Sequence, residues 1–302
     1  MSSTDEPTLR PGGVATLAGR PVARIGFGAM QLPGPGVLGP PRSRENALAV
    51  LRRAVELGAN HIDTAQFYGP DVANELIHAA LHPYPDDLVL VSKVGADRDS
   101  SGTWIAAQRP EDLRAGVEAN LRSLDVERVD VMNLRLHARG ADDDGSHVDL
   151  DSQLAEMVAL RDEGKVGAVG ISSVTIDQLR QALRVGLACV QNEYSVLDRS
   201  GEPMLELCAE HDIAWVPYFP LGSAFPGMPK VTESPAVIAA AAELGATPAQ
   251  VGLAWLLAHD PRILLIPGTS SLDHLIENMA TADVHLGAET IAVLDGLAAF
   301  NR

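Results

Sequence analysis

What most constrains this chain is an alternation sustained along its 302 residues: short segments, apolar at nearly every position, trade places with longer segments that are apolar at helical spacing. The first kind reads as strands buried on both faces, the second as helices that cover a parallel sheet. Val14 to Leu17 and Val22 to Ile25 flank a turn of Ala18, Gly19, Arg20 and Pro21, which predicts a hairpin leading into a strand that ends near Phe27 and Gly28. Further strands are expected over 61–65, 88–94, 129–136, 168–171, 189–192, 214–218 and 263–266. Helices are expected over 44–57, 72–81, 110–124, 150–163, 176–185, 202–211, 235–244, 248–259, 272–280 and 288–299. The first helix shows the pattern plainly, with Leu48, Val50, Leu51, Ala54 and Val55 on its apolar side and Gly58 as its C-terminal cap. A doubly wound open sheet would alternate in the same way. It would also carry a glycine-rich turn opening into a helix, and the run from Gly26 to Gln31 does not open into one. The expected fold is therefore α/β, a closed (β/α)8 barrel of the TIM type with a short N-terminal β-hairpin. It forms a single domain over 13–302 that follows a frayed tail of residues 1–12.

Hydrophobic residues at 46% and charged residues at 21% give a soluble globular composition, not a disordered one. A net charge of −17 argues against nucleic acid or an anionic membrane as the main partner. No run is long and apolar enough to span a bilayer, and the polar, acidic start lacks the basic region and apolar core of a secretory signal. Cys189 and Cys208, the only cysteines, read as core thiols of a cytoplasmic protein and not as a disulfide framework or metal site. The sequence carries no signal for oligomeric state.

In such barrels the catalytic face is built where the strands end, so Met30, Asp63, Tyr68, Lys93, Arg135, His137, Asn192, Tyr218 and Gly268 are expected around one mouth. Read singly, Asp63 is a turn residue, Tyr68 a packing residue and Lys93 an ordinary strand-end lysine. Together they suit carbonyl reduction: a phenol is a weak acid near neutrality, and an adjacent ammonium stabilises its phenolate while a carboxylate holds the ammonium. An anionic cofactor would have to be held by backbone NH groups and helix N-termini, which bind phosphate whatever the net charge.

Those residues lie within a wider pattern. Gly26 to Met30, Asp63 with Tyr68 and Glu75, Ser92 with Lys93, Gly170 to Ser173, Gln191 to Tyr194, Tyr218 to Gly222, Ile266 to Ser270, and Glu277 with Asn278 together resemble the aldo-keto reductase family over nearly the whole chain. The resemblance implies NADPH-dependent reduction of a small-molecule aldehyde or ketone, with no metal in the reaction. It implies that Tyr68 is the general acid, Lys93 lowers its pKa and Asp63 holds Lys93. Tyr218 would stack on the nicotinamide, whose carboxamide Ser172, Ser173 and Gln191 would bind. Gly28, Ala29 and Met30 would border the cofactor, Leu221, Gly222 and Ser223 its pyrophosphate, Gly268, Thr269 and Ser270 its phosphates, and Glu277 and Asn278 its adenine. Without that pattern, Tyr218 reads as core packing and Gln191 as a satisfied buried amide.

Two positions depart from the family. Most members carry a histidine where this chain has Arg135, while His137 lies two residues farther along the same strand face. Arg135 donates hydrogen bonds but does not shuttle protons, so either Arg135 or His137 faces the carbonyl oxygen. NADPH-specific relatives also place cations where this chain has Gly268 and His274. That weakens the expected preference for the 2′-phosphate and leaves NADH use open. The ending Asn133, Leu134, Arg135 resembles a subgroup that includes bacterial pyridoxal reductases, which makes a pyridoxal-like aldehyde a candidate substrate. Phe67, Trp104 and Phe225 are expected at the substrate, although Trp104 and Phe225 read equally as packing residues. A cofactor-binding regulatory barrel with little turnover is the competing reading.

Overall fold

The computed structural model describes residues 10–136, 148–222 and 229–297. Its first elements are β1 (Val14–Leu17) and β2 (Arg20–Ala23), an antiparallel hairpin in which Leu17 faces Arg20 across the turn. Ala18 and Gly19 both take positive φ, 50° and 75°, as a two-residue turn that matches strand twist requires. Residues 10–12, assigned to the tail from the sequence, are tied down: the Ile25 amide donates to the Pro11 carbonyl and Arg10 pairs with Asp87.

Seven strands then form one parallel sheet. They are β3 (Phe27–Gly28), β4 (His61–Asp63), β5 (Val89–Val94), β8 (Val129–Arg135), β9 (Val166–Ser172), β10 (Leu187–Gln191) and β11 (Ala214–Trp215), side by side in chain order. The eighth expected strand, 263–266, pairs only through isolated parallel bridges, Trp215 with Ile263 on one side and Ile25 with Leu265 on the other. Those bridges close the ring. Proline lacks an amide donor, and Pro261 and Pro267 bound this segment, which limits its ladder. The expected strand over 214–218 is likewise cut to two residues before Pro217.

Between the strands run α1 (Arg44–Glu56), α2 (Val72–Leu81), α3 (Pro110–Leu124), α4 (Leu150–Asp162), α5 (Ile176–Ala182), α6 (Glu202–Glu210), α7 (Pro235–Leu244), α8 (Pro248–His259), α9 (Leu272–Met279) and α10 (Ala288–Asp295). Side-chain caps start several of them, including Ser43, Asp149, Thr175, Thr247 and Ser271. The expected helix over 176–185 tightens after Ala182 into a 3-10 turn that ends at Gly186. A second antiparallel hairpin, β6 (Ala96–Arg98) with β7 (Trp104–Ala106), was not foreseen. Its turn is built by the Asp99 carboxylate, which accepts from the Ser101 and Thr103 amides at 2.8 and 2.9 Å.

The core has two parts. An outer shell packs the strands against the helices, and a smaller inner cluster fills the barrel, where Val89, Val91, Val131, Cys189, Val216 and Leu264 meet. Leu17 and Val22 of the first hairpin join the inner cluster, so that hairpin stoppers the end of the barrel where the strands begin. Cys189 and Cys208 are free, buried thiols, and burial pushes each up to about 12. Among the described residues no single helix is long and apolar enough to cross a membrane.

Candidate active site

Strand register brings the chemistry together. Gly28 pairs with Asp63, Lys93 with Asn133, and Arg135, Ser172 and Gln191 lie in one row across three strands. All sit where the strands end. Inside that rim the Lys93 ammonium donates to Asp63 and, at 2.9 Å, to the Thr64 carbonyl. The other Asp63 oxygen accepts from the Gln191 side-chain amide at 2.9 Å. Asp63 and Lys93 are each about 5% exposed, so the pair is costly to bury and stays only because both of its members are bonded. The Lys93 nitrogen lies 5.1 Å from the centre of the Tyr68 ring.

Burial pulls the Lys93 ammonium down, but Asp63 and then Tyr68 more than offset this, and the amine is held above its ordinary range. The Tyr68 phenol is raised, chiefly by burial. Lys93 and Arg135 pull it down, as the sequence led us to expect of Lys93, yet stripping water from a phenolate outweighs them. Tyr68 therefore stays protonated and able to give its proton away.

Above this triad opens a cleft of about 820 Å³, within the range of small-molecule and cofactor sites. Of the residues expected there, Gly28, Met30, Asp63, Tyr68, Gln191, Tyr218, Leu221, Gly222, Gly268, Ser270 and Asn278 line it. Ala29 is buried behind the wall. Ser172 and Ser173 lie beside Tyr218, with the Ser173 hydroxyl 3.5 Å from the tyrosine oxygen. Thr269 braces the loop by accepting from the Ser271 amide, and the His274 amide donates to the Ser271 side chain that caps α9. Glu277 is engaged elsewhere, accepting from the Thr247 hydroxyl at 2.6 Å. His137, Ser223 and Phe225 lie outside the described residues.

On the other flank Phe67, Tyr68 and Trp104 form an edge-to-face cluster, with centroids 5.3 to 6.5 Å apart. Phe67 is fully buried and supports the pocket from behind, so it does not line it as the sequence suggested. Trp104 rides on the unforeseen hairpin and carries Arg98 on its face at 3.5 Å, with the Arg135 guanidinium 5.8 Å from the ring. One Arg135 nitrogen is buried without a hydrogen-bond partner among the described residues.

The cleft fits an extended dinucleotide. Gly28 and Gly268 approach so closely that a Cβ on either would meet the other strand's carbonyl oxygen at 2.5 Å, so the backbone itself forms the floor. At the start of α9 the Leu272 and Asp273 amides make no hydrogen bond among the described residues, which suits a phosphate. Sequence reasoning missed Arg42. It lines the same cleft as Ser270 and Asn278, is exposed, and makes no ion pair among the described residues. The Asn46 side chain, which donates to the Ser270 carbonyl at 2.6 Å, shows how the loop before α1 reaches α9.

A closed barrel with this mouth, matched by the aldo/keto reductase family model over residues 24–299, makes the chain a member of that family. It is an NAD(P)H-dependent oxidoreductase of a family acting on small-molecule carbonyl compounds. It is 46% identical to the pyridoxine 4-dehydrogenase of Escherichia coli, over 93% of this chain and 97% of that one. It is 35% identical to an uncharacterized oxidoreductase of Schizosaccharomyces pombe, over 91% and 86%. Among solved structures, a thermostable aldo-keto reductase in complex with the inhibitor epalrestat superposes with a TM-score of 0.79 at 27% identity, covering 95% and 100%. An aldo-keto reductase of Klebsiella pneumoniae in complex with NADPH gives 0.74 at 27%, covering 91% and 90%. The enzyme reading thus stands over the regulatory one.

Proposed function

We propose that this chain interconverts a pyridoxal-like aromatic aldehyde and its alcohol, with Tyr68 as the proton donor to the carbonyl oxygen. The observation that carries the chemistry is the convergence of Asp63, Lys93 and Tyr68 beneath one cleft. When bound, the nicotinamide supplies hydride to the carbonyl carbon. Tyr68 is held protonated by burial, and Lys93 takes up the charge that develops on its oxygen as the proton leaves. Asp63 keeps Lys93 charged and Gln191 keeps Asp63 in place. Tyr218, with Ser172 and Ser173 beside it, is the platform for the nicotinamide.

Trp104 and Arg135, expected at the substrate, stand beside Tyr68 and do not line the cleft, and Arg98 covers a face of the Trp104 ring. The substrate side of the reading is supported by the relative named for pyridoxine oxidation. The test follows NADPH consumption with pyridoxal beside simple aliphatic and aromatic aldehydes, in the wild type and in Tyr68→Phe. We expect pyridoxal to be the preferred aldehyde and the variant to lose at least about a hundredfold in turnover with cofactor affinity retained. A variant that turns over at the wild-type rate would remove Tyr68 from the role. Indifference to pyridoxal would remove the substrate.

A further inference from the structure

We propose that His78, His82 and Asp125 form a binding site for a divalent transition-metal ion such as zinc, outside the barrel and remote from the catalytic mouth. His78 lies in the last turn of α2 and His82 is its C-cap, whose amide donates to the His78 carbonyl at 2.9 Å. That four-residue spacing puts both imidazoles on one side of the helix. Their ring centroids are 4.8 Å apart. Asp125, the left-handed C-cap of α3, brings its carboxylate to 3.6 Å from His78 Nε2.

One ligand atom from each residue lies within 4.8 Å of the other two. Donors about 2.0–2.2 Å from a tetrahedral zinc stand about 3.4 Å from one another. The His78–Asp125 distance already meets that spacing, and a small rotation of the exposed His82 ring closes the third. The separation of 3.6 Å is too long for a hydrogen bond, and His78 Nε2 is buried with no partner among the described residues. A metal ion would satisfy that nitrogen.

The surroundings favour a cation. Both α2 and α3 end here, so the negative ends of two helix dipoles converge on the cluster. The frame is also stiff. Tyr84 donates to the Leu124 carbonyl at 2.7 Å and presents its ring edge to His82, while Asn74 of α2 bonds Asn120 and Ser123 of α3. These helix ends lead into β5 and β8, so the ion would pin α2 to α3 where those strands begin and take no part in the reaction.

Tag-free, chelator-treated protein is titrated with Zn²⁺ against a coloured indicator and with Co²⁺ by its visible absorption. Thermal unfolding is followed with and without Zn²⁺. We expect one equivalent bound, an affinity at least about tenfold weaker in His82→Ala and in Asp125→Asn, and a Zn²⁺-dependent rise in midpoint that both variants lose. His82 and Asp125 are exposed, and Asp125→Asn keeps the side chain's size, so the metal-free midpoints should stay near wild type. No stoichiometric binding by the wild type would overturn the site. Wild-type affinity in either variant would overturn it as well, by assigning the metal to other histidines.

Discussion

At the residue scale the proposed site sets one charged pair against one neutral phenol. Lys93 is the principal influence lowering a Tyr68 phenol that burial holds high. Lys93→Met should therefore raise that phenol further and leave Asp63 buried with only Gln191 beside it. Turnover should fall by on the order of a hundredfold or more. In the direction of alcohol oxidation, where the proposed role has Tyr68 accept a proton, the rise of rate with pH should move to higher pH. An unchanged pH-rate profile would uncouple the two residues. Arg42 makes a separate claim. As a cation that lines the same cleft as Ser270 and makes no ion pair among the described residues, it is expected to supply the 2′-phosphate contact that Gly268 and His274 do not. Arg42→Gln should weaken NADPH binding by about ten- to a hundredfold, the worth of one charge-assisted contact, and leave NADH binding nearly as it was. Fluorescence titration with both cofactors checks this, and equal losses for both would place Arg42 away from the phosphate.

At the scale of elements, the first hairpin is a structural plug. Leu17 and Val22 are buried against the inner cluster of the barrel, so Leu17→Ala should cost about 2–5 kcal/mol of stability. Denaturant unfolding should show that loss while the Michaelis constants stay put, because the hairpin lies at the end opposite the cleft. The hairpin was legible from its turn residues and from the apolar pairs around them. Helices α3, α7 and α8 were legible to the residue because each has proline near its start, where a missing amide does no harm. The β6–β7 hairpin was not. Its strands are short and half exposed, and an aspartate side chain, not a glycine pair, folds its turn. Asp63, Tyr68 and Lys93 could be read because each ends or follows a strand. By contrast the Gln191–Asp63 bond spans 128 residues, and the approach of the Arg42 loop to α9 depends on ring closure. Contacts of that kind belong to the fold and leave no local trace in sequence.

At the scale of the whole molecule, the barrel interior carries a histidine that the reaction does not use. His61 begins β4 and is fully buried beside Gly26. Burial lowers its imidazole to about 4, and the nearby Leu265 carbonyl raises it only slightly, without a hydrogen bond of ordinary geometry. The folded chain thus binds this proton less readily than the unfolded one. The stability tied to His61 is complete above pH 6.5 and drains away as the pH falls towards 4, by about 3 kcal/mol across that window. His61→Met should flatten that part of the acid limb. Urea midpoints measured between pH 7 and 4 in both proteins test it, and parallel curves would deny His61 the role.

The bridges that close the ring have a consequence for the order of events. Seven strands meet neighbours supplied by nearby parts of the chain, whereas residues 263–266 must find Ile25 across most of its length. Loop entropy makes such a distant encounter late and slow. Folding would therefore pass through a nearly complete, still open sheet, with the cofactor's floor, the meeting of Gly28 and Gly268, the last part of the enzyme to come into being.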